Sequence, residues 1–130
     1  MKLTVSRSDR VTVTVHAYEI DGNIEATHDK GEIPKGMEDI QEAAFTFRRP
    51  GHADSTSIFK ECNFKPTAEG KIQSFDVTVL QEAVLRTLLV GWDLMDDDGK
   101  KMSLTAGNIN SLHPAVARAA SAGCLDKIRL

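Results

Sequence analysis

From Arg10 to Ile20 apolar and polar residues alternate, with Val11, Val13, Val15 and Ala17 set against Thr12, Thr14, His16 and Tyr18. A period of two with β-branched residues on both faces predicts a strand. A second alternation runs from Glu42 to Arg49, with Ala43, Phe45 and Phe47 against Ala44, Thr46 and Arg48, and Pro50-Gly51 ends it. These two segments predict an antiparallel pair. Asp21-Gly22-Asn23 offers a competing and shorter hairpin with Ile24 to His28. Thr27 to Met37 is polar, carries Gly31, Pro34 and Gly36, and reads as a loop.

The period then changes. Asp54 is placed to cap a helix through about Phe64 that turns Ile58, Phe59 and Cys62 inward, and Pro66 to Gly70 is a turn. The longest helical pattern spans Phe75 to Met95. Val77, Leu80, Val84, Leu88 and Met95 form one stripe, which Leu85 and Trp92 widen. Val79, Ala83 and Val90 fall on nearly the opposite side. Two readings stay open there: a central helix packed on both sides, or a second apolar face kept for a partner. Gly91 either ends the helix early or marks a close approach. Asp98-Gly99 is a turn, Thr105 caps a short helix to about Leu112, and His113-Pro114 opens a last helix, Ala115 to Ala122, closed by Gly123. The expected fold is α+β, a single domain with a small antiparallel sheet from residues 1–50 packed on three or four helices.

The length of 130 residues suits one domain, and a net charge of −3 without clustered Lys or Arg argues against nucleic acid as a partner. No stretch reaches the roughly 18 apolar residues of a membrane span. The polar opening, Met1 to Arg10, lacks the apolar core of a signal peptide, so a cytoplasmic location is expected.

Candidate chemistry is sparse. Cys62 and Cys124 fit no metal or redox spacing and read as buried thiols. His16, His28, His52 and His113 show no pair at helical zinc spacing, and His16 and His113 read as structural. The acidic run Asp93, Asp96, Asp97, Asp98 before Gly99 fails as a calcium loop. With Gly99 at the sixth position, Leu94 takes the first and Thr105 the twelfth, so the two key carboxylates are missing. Neither a Gly-rich phosphate loop nor a nucleophile elbow is present. A Cys62–His52 thiol–imidazole pair is the one nucleophilic arrangement to weigh, and it lacks an orienting third group. We therefore expect no catalytic residues, no metal and no cofactor. Arg48-Arg49-Pro50 is a local basic spot, read either as a guarded strand edge or as a contact for an acidic partner.

Two blocks carry a family resemblance. Ala44-Phe45-Thr46-Phe47-Arg48-Arg49-Pro50 is the first. The second is Leu88-Leu89-Val90-Gly91-Trp92-Asp93, followed by Asp98-Gly99, Thr105 and Leu112-His113-Pro114. In this order and spacing, across roughly residues 42–120, they resemble the tail assembly chaperones of long-tailed, lambdoid-type (siphovirus) bacteriophages. The resemblance implies a non-enzymatic protein of the host cell cytoplasm that binds the long helical tape measure protein and keeps it soluble. It also implies recruitment of the tail tube protein, self-association as a homo-oligomeric ring or spiral, absence from the mature virion and, in a fraction of the product, a frameshifted extension. It carries over no binding residue. A chaperone for a helical protein needs exposed apolar surface. Val79, Ala83, Val90 and the alanine-rich last helix are the candidates, with Arg48 and Arg49 as the basic spot, and contacts through the second stripe would be head-to-tail if that stripe is not self-complementary about a two-fold axis. The rival readings are a head–tail connector of the virion and, in a different class, a small thiol hydrolase using Cys62 and His52.

Overall fold

In a computed structural model, which describes residues 3–62 and 76–130, both alternating segments form strands. β1 spans Arg10–Ile20 and β3 spans Gln41–Arg48, antiparallel, with Val11 opposite Phe47, Val13 opposite Phe45 and Val15 opposite Ala43. The hairpin that competed for β1 also forms. β2, Asn23–Thr27, pairs on the other side of β1 across a turn in which Asp21 and Gly22 both take positive φ. Positive φ at both central residues matches the right-handed twist of the flanking strands. β1 thus sits inside the sheet and uses both predicted pairings. The loop that follows carries one short 3-10 turn at Lys30–Glu32.

The helices are α1 (His52–Glu61), α2 (Val77–Leu88), α3 (Ala106–Asn110) and α4 (Pro114–Lys127). α4 lies on β1 and β2, while α2 packs between α4 and α1. Val13, Val15, Phe45, Phe47, Ile58, Val84, Leu88 and Cys124 are fully buried between the helices and one face of the sheet. Burial of each large apolar side chain contributes about 1.5–3 kcal/mol. Thr12 and Thr14, on the opposite face of β1, stay exposed. The fold is α+β.

Four expectations need correction. The long helix stops at Leu88, and Leu89 is already extended at φ −69, ψ 123. Residues Leu89–Trp92 form β4, which pairs with β3 and completes the sheet order β2-β1-β3-β4. The sheet therefore draws its last strand from beyond residue 50. Tertiary pairing overrides the helical period here. Trp92 meets Phe45 edge to face with ring centroids 6.2 Å apart, its indole N–H donates to the Met102 carbonyl at 2.8 Å, and the Asp93 carboxylate accepts the Ala44 N–H at 2.7 Å. Second, α4 does not close at Gly123 but continues to Lys127, and Gly123 instead marks a close approach to the sheet, where a Cβ would overlap the Val13 Cγ1 methyl. Third, Gly51 is the N-cap of α1, and Asp54 sits in its first turn, accepting the Gly51 N–H at 3.1 Å. Fourth, that helix ends at Glu61. Phe64, the Pro66–Gly70 turn and the start at Phe75 lie outside the described residues, and α2 opens on the Asp76 cap.

Candidate functional site

The residues proposed for a second apolar stripe do not share a surface. Ala83 is completely buried and belongs to the core, which corrects its assignment to a partner face. Val79 is half-buried against that core. Val90 is exposed, but it lies on the edge strand β4, beside the irregular register between Thr46 and Phe47, and not on α2. Because α2 packs on both α1 and α4, it needs apolar residues on two sides of its own.

Arg48 is likewise committed within the fold. Its guanidinium grips the Asp54 carboxylate with two nitrogens, and Nη2 also donates to the Thr87 carbonyl at 2.9 Å. One side chain thereby ties the end of β3 to the start of α1 and the end of α2. This hydrogen-bonded pairing holds the Asp54 carboxyl below the usual carboxylate range and raises the Arg48 pKa. Arg49 is exposed and reaches the Lys127 carbonyl at 3.5 Å.

A group whose folded pKa is depressed contributes its stability above its unfolded pKa and loses it as the pH falls through the folded value. The Asp54→Ala variant is therefore expected to lose about 1–2 kcal/mol at neutral pH. The deficit relative to wild type should shrink as the pH falls below the ordinary carboxylate range of the unfolded chain toward the lowered value of folded Asp54. Urea midpoints of both proteins across that range measure it, and a deficit independent of pH contradicts the assignment.

His52 and Cys62 stand at the first position and the C-cap of α1, so ten residues of helix hold them about 15 Å apart. That distance rules out a thiol–imidazole pair between them. Both thiols are buried. Burial, helped by the Glu61 charge, pushes the Cys62 thiol up, and burial pushes Cys124 up to about 12. Neither cysteine should be alkylated in the native protein at neutral pH, and both should react in urea. Mass spectrometry after iodoacetamide treatment reads this directly, and fast native labelling at Cys62 contradicts it.

The other polar candidates also serve the backbone or pair within the fold. The His113 ring accepts the Ala115 N–H at 3.1 Å and caps α4. His28 Nε2 lies 2.7 Å from Asp126, whereas the buried His16 Nδ1 lies 3.1 Å from the exposed Glu42 carboxylate without making a hydrogen bond to it. The Asp96 carboxylate accepts the N–H groups of Asp98 and Lys100, both at 2.9 Å, and closes the acidic turn on itself. Among the described residues no group of three or more His, Cys, Asp or Glu is arranged to hold a metal ion.

Two concave surfaces stand out among the described residues. The first is a groove of about 240 Å³ between α2, α3 and the start of α4. Leu85, Ile109, Leu112 and Ala117 give it an apolar floor, and Glu82, Arg86 and Arg118 stand at its rim. Arg86 is held there by Glu61 at 3.0 Å and Glu82 at 3.7 Å. The groove is below the size typical of small-molecule pockets. It suits a few side chains from one face of a partner helix. Comparison with protein-family models, curated proteins and solved structures finds no match. The sequence pattern named Leu85 as part of the core stripe and Leu112 as a helix end. Nothing in the linear order showed that Ile109 and Ala117 would join them, because the meeting depends on how α3 and α4 turn back over α2.

The second is a larger concavity of about 750 Å³ at the far end of the sheet, where the chain from Gly36 to Gln41 passes the end of β1.

Proposed function

We propose that this chain is a non-enzymatic tail assembly chaperone that takes an apolar helical stripe of the tape measure protein into the groove between α2, α3 and α4. The observation that carries the reading is the groove itself, an apolar floor a few side chains long between charged rims. Amphipathic helices are recognised in this way, by burying residues three and four apart while the rim sets orientation. The sequence resemblance across residues 42–120 supplies the identity of the helical partner. In this role the protein works in the host cytoplasm, helps bring tail tube protein to the tape measure protein, self-associates as a ring or spiral, and leaves before the virion is complete.

Co-expression tests the proposal. The wild-type chain should keep the tape measure protein in the soluble fraction. Ala117→Glu, which places a charge on the half-buried floor, should lose most of that effect, whereas Thr14→Glu on the opposite face of the sheet should retain it. Equal solubility with all three, or with none, contradicts the proposal. Recovery of the chain from purified particles would favour a virion component instead.

A further inference from the structure

We propose that the concavity at the end of β1 is an assembly site that receives the Leu3–Val5 segment of a second copy as an added strand. The inference deepens the self-association within the proposed function and rests on that reading for its choice of occupant.

The site is an interrupted sheet edge. Pairing between β1 and β3 stops at Ala17 opposite Gln41, whereas pairing with β2 continues to Ile20 opposite Asn23. Tyr18 to Ile20 therefore lack a neighbour on the β3 side, and the concavity opens there. Unpaired strand backbone beside a groove is the usual receptor for an added strand. Ile24 and Ile40, which help line it, are exposed at 43% and 36%. Its charged lining groups are Glu19, Glu38 and Asp39, and no cation lines it. A fitting strand is therefore short, apolar on one face and basic.

The chain carries such a segment. Leu3 and Val5 are exposed at 87% and 47%, ahead of β1 in a segment that bends at Thr4 and pairs with no described strand of its own molecule. Two apart, they fall on one face of a strand, and the sequence flanks them with Lys2 and Arg7. They cannot fill the concavity of their own molecule. The segment is anchored at Ser6–Asp9, where the Ser6 N–H donates to the Asp9 carboxylate at 3.0 Å and the Arg49 N–H donates to the Asp9 carbonyl at 3.1 Å. Three residues from that anchor reach about 10 Å, whereas the eight residue-to-residue steps of β1 from Arg10 to Tyr18 cover about 27 Å. Segment and receptor are different surfaces at opposite ends of the longest strand, so the contact is head-to-tail; it closes as a reciprocal pair only if a two-fold rotation seats both segments at once, and otherwise propagates into a ring or a spiral. A strand this short buries less than a standard interface, so assembly should depend on concentration and weaken with salt.

Sedimentation and light scattering of the full chain test this with two variants, Val5→Asp and the double replacement Glu38→Lys with Asp39→Lys. The wild type should form species larger than a dimer at high micromolar concentration. Each variant alone should need at least about tenfold more protein to assemble. The mixture should give dimers that do not extend, because each variant keeps the half that the other has lost. A monomeric wild type, assembly of either variant at wild-type concentrations, or a mixture without dimers overturns the inference. So does protection of the concavity in hydrogen exchange by the tape measure protein but not by a second copy. The two readings fail separately, because chaperone activity is read from tape measure protein solubility and this contact from the mixing result.

Discussion

Truncating Phe45 to alanine is expected to cost about 3–5 kcal/mol of folding stability, the largest effect of any single replacement argued for this protein. Phe45 is fully buried, lies opposite Val13 on β1 and packs edge to face with Trp92. Its removal forfeits the transfer energy of the ring and leaves a cavity that rigid strands on either side cannot close. It also strips β4 of its main anchor, since Trp92 is held by that ring and by one hydrogen bond to Met102. Against a total stability of about 5–15 kcal/mol, the loss is a large fraction of the whole. Urea denaturation followed by Trp92 fluorescence measures it. A loss below about 1 kcal/mol would mean that the β3–β4 pairing does not hold the core as described.

Gly123→Ala is expected to destabilise by about 2 kcal/mol or more, although alanine favours a helix by about 1 kcal/mol over glycine. A Cβ at Gly123 would overlap the Val13 Cγ1 methyl and come within 2.9 Å of the His28 Cβ. Val13 is 1% exposed and stiff at its β-branch, so it cannot swing aside. Relief would require α4 to lift from β1 and β2, the strands it packs on. Gly107 in α3 gives the opposite sign. There a Cβ finds nothing nearer than Thr105 Oγ1 at 4.0 Å, so Gly107→Ala should stabilise by about 0.5–1 kcal/mol. Thermal melts of the two variants separate propensity from packing, and a stabilising Gly123→Ala would contradict the close approach of α4 to the sheet.

Gly123 also marks the limit of what the linear pattern can show. As sequence, a glycine after an alanine-rich run is a helix stop. Only the proximity of Val13, 110 positions earlier in the chain, turns it into a packing requirement. β1 and β3 were legible because their period of two is sustained over 11 and 8 residues with β-branched and aromatic side chains. The run from Leu88 to Trp92 was not, since a short apolar segment satisfies either period and the decision comes from Phe45, Ala44 and Met102 elsewhere in the chain. The same reason explains the candidate site. Val90 joins Val79 and Ala83 on one face only on an unbroken helix, and the strand at Leu89 takes it away, while Ala83 is buried in the core. The groove floor is assembled from three helices, and no window of sequence contains it.

Hydrogen exchange on the full chain, with and without the tape measure protein, tests the central claim most directly. The account predicts slowed exchange in the segments around Leu85 and from Ile109 to Ala117 when the partner is present, with little change across Thr12 and Thr14. Binding that leaves the α2–α3–α4 groove unprotected, or protection confined to the exposed face of the sheet, would contradict it.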